Sequence, residues 1–241
     1  MDGYKVEVPM GTRGEGGFLE GDFHVHSNVS DGLLHPIEIL VHARKADLDV
    51  ISITDHDSFE GSIKAVRYLQ HRGIERPIVI VGCEARTLLG DVLVYCEEPL
   101  PRIPKGFWEL VDLSRDGNCI LVPAHPFDTA RLGMGKSVLV VREYINLIEC
   151  YNAYSSKRSN GRAYRLAKLL KKPCIANSDA HIPEFIGVYR TRLLESSSSP
   201  GEVLETLRKG LVHPMTNSIG VGLWVKRALW SVKRSVKRRI G

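Results

Sequence analysis

Polar residues in this chain keep one phase relative to its apolar runs. DFHVHS (22–27), DVISITDHD (49–57), PIVIVGCEA (77–85), CILVPAHP (119–126), INLIECYN (145–152) and PCIANSDAH (173–181) each begin apolar and end in ionisable or amide side chains. Runs of four to eight β-branched residues cut off by polar ones predict buried strands. Between them lie stretches of helical period: 35–49 with Pro36 early, roughly 60–72 with Ile63, Val66 and Leu69 on one face, 107–116, 161–172 and 201–210. A further strand is expected at DVLVYC (91–96), after a turn at Gly90. Strands alternating with helices predict βα units and a mostly parallel sheet, hence an α/β fold. In a parallel barrel the C-terminal strand ends converge on one face, where side chains far apart in sequence share a site.

The side chains at those ends are metal-ligand types. His24 and His26 lie two apart and so face the same side of a strand. Asp31 follows in a turn, His56 closes the second strand, Glu84 the third, His125 a later one, and Asp179 and His181 the last, with Glu149 near the end of the strand before it. Imidazole with carboxylate suits zinc, manganese or iron rather than a cysteine-rich structural zinc site. Five histidines and up to four carboxylates exceed the needs of one ion, so two or three divalent ions sharing a bridging carboxylate are expected. Such sites suit in-line displacement at phosphorus.

DFHVHSNVSDG, ISITDHD, GCE, PAHP and NSDAH, in that order between about residues 20 and 190, make the chain resemble the PHP (polymerase and histidinol phosphatase) family, and in particular its small archaeal-type members. The resemblance implies a distorted seven-stranded β/α barrel with a trinuclear site. His24, His26, Glu84 and Asp179 would hold one ion. Glu84 would bridge to a second, joined by His125, and Asp31, His56 and His181 would hold the third. Where many members carry a histidine after the bridging glutamate, this chain has Asp91. The second ion would then be completed by Glu149 or Asp91, or would be Mn²⁺ or Mg²⁺. A turn role for Asp91 is an equal alternative.

The activity expected is hydrolysis of a phosphate ester by metal-activated water, with no protein nucleophile. A small phosphomonoester such as a sugar or nucleotide phosphate is the first substrate class. The alternatives are a nuclease acting on nucleic-acid 5′ ends, a hydrolase of C–N bonds, and a non-enzymatic barrel binding RNA or a protein. Loop cations expected to face the site are Arg86, Arg131, Lys136, Lys157 and Arg158, with Arg131 and Arg158 preferred for substrate. Asp55 and Asp57 could orient an imidazole, and Asn152 and Asn177 could hydrogen-bond ligands or substrate.

The 241 residues suit one domain with an appendage: a lead over 1–19, the barrel over 20–215, and a basic amphipathic helix over 216–241. The net charge of +5 is local to that tail. Residues 221–241 hold seven Lys and Arg and no acid, so the remaining 26 bases face 28 acids. Val221, Val225, Ala228, Val232 and Val236 form a stripe at helical spacing, with Trp224 and Trp230 adding aromatic surface. The stripe is expected to pack on the barrel, to lie on an anionic membrane, or to leave the bases for nucleic-acid phosphates. No run is long and apolar enough to span a membrane, and the mixed-charge N-terminus does not read as a secretory signal, so a cytoplasmic protein is expected. The five cysteines, lacking any C-x-x-C pair, are expected as free thiols.

Overall fold

The computed structural model describes residues 18–240, with side chains as far as Val232; residues 1–17 of the expected lead lie outside the described residues. Nine strands run β1 Glu20–Val25, β2 Val50–Ile53, β3 Ile78–Thr87, β4 Gly90–Cys96, β5 Ile120–Pro123, β6 Ile148–Asn152, β7 Cys174–Asn177, β8 Tyr189–Leu193 and β9 Val212–Thr216. The helices are α1 Pro36–Lys45, α2 Glu60–Arg72, α3 Phe107–Asp116, α4 Val138–Val141, α5 Lys157–Leu170, α6 Pro200–Arg208 and α7 Val221–Ile240.

Seven strands form a curled mixed sheet in the order β5-β4-β3-β2-β1-β8-β9, a half-barrel, and β6 and β7 form a separate parallel pair. That pair spans the opening. On one side Asn146 exchanges two hydrogen bonds with Leu121 of β5, at 3.0 and 3.2 Å. On the other, Ala180 bridges Val25 and the Asn177 amide oxygen accepts from the Phe23 N–H at 3.1 Å. The fold is therefore an α/β barrel, distorted rather than regular.

Only β1–β2, β2–β3 and β6–β7 pair in parallel; β1–β8, β3–β4, β4–β5 and β8–β9 are antiparallel. The expectation of a mostly parallel sheet is corrected on this point. β8 and β9 escape sequence reading for a physical reason. YRTRL and VHPMT are half-exposed, arginine-rich or proline-bearing, and β9 is an edge strand, where Pro214 removes no needed ladder bond.

Helix starts follow their caps. His35 caps α1: its ring accepts from the Ile37 N–H while Glu38 accepts from the His35 N–H at 2.8 Å. Ser156 caps α5 by accepting from the Ser159 N–H, so this helix begins at Lys157 rather than 161. Fully buried Phe23, Ile51, Ile53, Ile80 and Tyr95 fill the barrel wall, with the Tyr95 hydroxyl donating to the Phe23 carbonyl at 2.8 Å.

The free-thiol expectation is also corrected. Cys96 is bonded to Cys119 and Cys150 to Cys174; Cys83 alone of the five is free. Each pair joins neighbouring strand ends, β4 to the approach of β5 and β6 to β7, at Cα separations of 4.4 and 5.4 Å. Sheet neighbours 23 and 24 residues apart leave no local spacing signature.

Candidate metal centre

The barrel brings all eight ligand candidates to one face. β1 carries His24 and releases His26 just beyond its end, with their Nε2 atoms 3.1 Å apart. β3 supplies Glu84 to the middle of the cluster. Its Oε2 lies 3.3 Å from His26 Nε2, 3.4 Å from His24 Nε2 and 3.0 Å from His56 Nδ1, while Oε1 lies 2.9 Å from His125 Nε2. Asp179 Oδ1 approaches His24 and His26 at 3.5 and 3.3 Å. Asp31 closes the far end, 3.2 Å from His181 Nε2 and 3.6 Å from His56 Nε2.

Four overlapping groups each offer ligand atoms within 4.8 Å of one another: His26, Asp31, His56 and His181; His24, His26 and Glu84; His24, His125 and Asp179; and Glu84, Asp91 and His125. Backbone geometry is bent to achieve this. His125 and Asp179 both adopt positive φ, 29° and 54°, a conformation costing on the order of 1–3 kcal/mol and found where a site demands it. Asp31 reaches the cluster because the 27–32 turn folds tightly onto itself, with the Gly32 N–H bonded to the Ser27 carbonyl at 2.8 Å. A Cβ at Gly32 would collide with the His26 carbonyl.

Carboxylates and imidazoles face one another across the cluster. Burial alone would raise the carboxyls and lower the imidazoles, yet mutual attraction overrides it. Glu84 and Asp179 are held well below the usual carboxylate range by their histidines, and His26 is pushed up to about 10 by Asp179 and Glu84. Asp91, buried and beside Glu84, rises to about 7. His24 Nε2 and His26 Nε2 turn toward each other with the oxygens of Glu84 and Asp179 around them. Asp91 Oδ1 and His125 Nδ1 are buried without a hydrogen-bond partner. This donor set fits divalent metal ions with mixed nitrogen and oxygen ligands.

Other residues hold the cluster from behind. Glu149 spends its oxygens on the protein: Oε1 lies 2.9 Å from His24 Nδ1 and accepts from Asn177, while Oε2 accepts from the His125 N–H at 2.7 Å and from Asn152. It lies behind His24, on the ring nitrogen opposite Glu84. Asn152 also donates to Asp179 at 3.0 Å. Arg131 stands on a 3₁₀ turn, where its guanidinium pairs with Asp179 and Asp128 and donates to Asn152 and Ser155. Asp22 accepts from Ser178 and from the Gly187 N–H, and so anchors the loop that presents Asp179. Asp55 orients no imidazole; it binds Ser27 and Ser30. Asp57 pairs with Lys105 and accepts from the Arg86 N–H. Arg158, expected in a loop, is exposed on the first turn of α5, and the exposed Lys136 and Lys157 also stay outside the cluster.

Two residues that sequence reading missed flank the centre. The Tyr154 ring packs 5.4 Å from His181, and Arg227 of α7 lies 4.0 Å over that ring, donating to the Tyr154 carbonyl at 3.0 Å. α7 docks through Leu223 and Trp230, with Trp224 edge-on to Phe185 and Lys226 paired with Glu184. The expected valine stripe does not pack: Val221, Val225, Ala228 and Val232 are exposed, and the side chain of Val236 lies outside the described residues. No described helix is long and apolar enough to cross a membrane.

A PHP domain model matches residues 22–167, and a PHP-associated model matches 157–212. An uncharacterized protein of Methanocaldococcus jannaschii is 24% identical over 150 residues, 56% of this chain and 83% of that one. PsfC of Pseudomonas syringae superposes with TM-score 0.70 at 18% identity, covering 91% of this chain and 98% of PsfC. A two-domain protein of Bacteroides vulgatus containing a predicted PHP-like metal-dependent phosphoesterase gives 0.69 at 18%, with 83% of this chain covered; the chain spans 65% of that protein. A lesion-specific endonuclease of Pyrococcus furiosus gives 0.57 at 17%, covering 82% of this chain and 58% of the endonuclease.

Proposed function

The chain belongs to the PHP family of metal-dependent phosphoesterases, and we propose that it hydrolyses the phosphate ester of a small phosphorylated compound using two to three divalent ions. The observation that carries this reading is Glu84, whose two oxygens face different ligand groups, His125 on one side and His24, His26 and His56 on the other. His24, His26, Glu84 and Asp179 would hold one ion, Glu84, Asp91 and His125 a second, and Asp31, His56 and His181 a third. Bound there, the ions would acidify water and neutralise phosphate oxygens.

The chain's own residues prepare that set. Glu149 fixes the His24 ring so that Nε2 points inward, and Arg131 with Asn152 holds the outer oxygen of Asp179 and leaves Oδ1 to the cluster. With Asp91 in place of an imidazole, the second group is oxygen-rich and favours Mn²⁺ or Mg²⁺ over Zn²⁺.

A second reading, cleavage at nucleic-acid 5′ ends, is favoured by one observation: the bases of α7 begin beside the centre, at Lys226 and Arg227. The same helix would be the contact for an anionic membrane, through its exposed valines. The test is release from an aryl phosphate monoester and an aryl diester by metal-stripped protein with Mn²⁺, Zn²⁺ or Mg²⁺ restored. Metal-dependent monoester cleavage supports the first reading, and cleavage of the diester alone moves the assignment to a nuclease. No turnover, with less than one ion bound per chain, removes both.

A further inference from the structure

We propose that Arg227, brought by α7 to the mouth of the metal centre, binds a second negative group on the substrate, so that the enzyme prefers phosphate esters whose leaving group is itself anionic. The proposal rests on the phosphoesterase reading and adds the substrate's charge to it.

Several other cations are already spent or lie outside the cluster. All three guanidinium nitrogens of Arg131 are engaged by Asp128, Asp179, Asn152 and Ser155. Lys105 is paired with Asp57, and Arg190 and Arg192 with Glu20 at the other end of β1. Arg158 is exposed and turned to no ligand side chain.

Arg227 differs from all of these. It is half-buried, yet among the described residues no carboxylate lies within ion-pair distance of it. Its described contacts are one hydrogen bond, to the Tyr154 carbonyl, and two aromatic faces, Tyr154 at 4.0 Å and Trp224 at 4.8 Å. Burial and the field of Arg131 push its pKa below the usual arginine value, so its surroundings leave the charge under-compensated. Of five N–H donors, one is used.

Position supplies the rest. Arg227 lies over Tyr154, whose own ring lies against His181, a member of the Asp31 group. The Tyr154 hydroxyl is buried, approaches the backbone of His181 and completes no hydrogen bond of its own. A guanidinium held over aromatic rings, with unspent donors, is suited to two-point binding of a carboxylate or phosphate. Leu223, Trp230 and the Lys226–Glu184 pair seat the helix on the barrel at this position. α7 also lies beyond both matched family models, which end at residues 167 and 212.

The experiment compares 4-carboxyphenyl phosphate with the isosteric but neutral 4-carbamoylphenyl phosphate, using metal-loaded full-length protein, Arg227→Ala and Arg227→Lys. The wild type is expected to favour the carboxylate ester in kcat/KM by about 10- to 100-fold, the worth of a charge-assisted hydrogen bond or two. In Arg227→Ala that ratio falls to near one, mostly through KM, and Arg227→Lys restores part of it. A ratio unchanged in Arg227→Ala, with both esters slowed alike, overturns the proposal and makes Arg227 a packing strut for Tyr154. If the wild type hydrolyses neither ester, the phosphoesterase reading fails instead. Calorimetric titration of the same two compounds then decides the subsite, because binding without discrimination by charge overturns it.

Discussion

The barrel and α7 use similar side chains to opposite ends. In the barrel, β-branched residues vanish into the wall and ionisable ones turn inward: Val50, Ile51 and Ile53 are fully buried, and so is His24. Along α7 four apolar residues face out, with Val221 80%, Val225 52%, Leu229 66% and Val232 63% exposed, while Leu223, Trp230 and Arg227 are half-buried on the body. The barrel strand is covered on both faces, so any branched apolar side chain finds a contact and alternation decides only which one. The helix meets one wall, and the shape of that wall selects. Tyr154 and Phe185 present aromatic surface, against which Trp224, Trp230 and the flat guanidinium of Arg227 make more contact than a valine can. Hydrophobic period is thus a sound guide where an element is enclosed and a poor one where it docks on a single patch.

The contrast can be broken most forcefully at the barrel's centre. Glu84→Ala should lower kcat by at least about 10³-fold and reduce bound metal, because the one carboxylate shared between groups is lost. Near wild-type turnover with full metal content would refute the site assignment. Reducing the two disulfides should come next, costing about 3 kcal/mol for each closed loop of this length, read as a lower urea midpoint under reductant. An unchanged midpoint would mean that neither bond forms in solution. Glu149→Gln keeps the shape but removes the charge behind His24, and should weaken metal affinity or rate by about 10- to 100-fold. A change below twofold would show that His24 needs no orienting partner.

The helix supplies the smaller effects. Leu223→Ala should cost roughly 1–2 kcal/mol, less than a fully buried leucine, since the site is only partly covered. Val225→Asp, on the exposed stripe, should stay within about 0.5 kcal/mol of wild type in the same denaturant titration. If the two results exchange places, the helix packs by its valines and its orientation here is wrong.

How much was legible follows the same division. His24, His26, His56, Glu84, His125, Asp179 and His181 stand at strand ends, where the break from apolar to polar marks them without knowledge of any neighbour. The roles of Arg131 and Glu149 were not legible. Whether a guanidinium meets substrate or Asp179, and whether a carboxylate meets a metal or His24, depends on a partner 48 or 125 residues away. Arg227 carried no signal at all, being one of seven bases in a basic tail.

What the sequence determined by itself is therefore the order of β1 to β7 and of the main helices between them, the one face on which the ligand types gather, and the nitrogen-and-oxygen character of that ligand set. Those properties are local: period, phase and side-chain chemistry act over a few residues and need only the chain's own geometry. The tertiary structure alone decided that β8 and β9 run antiparallel, that Cys96 meets Cys119 and Cys150 meets Cys174, that Arg131 pairs with Asp179 and Asp128, and that α7 presents Arg227 rather than its valines to the body. Each of these is a choice between distant surfaces, made by the packing and charge of both partners together, and half of such a pair cannot be read from the other.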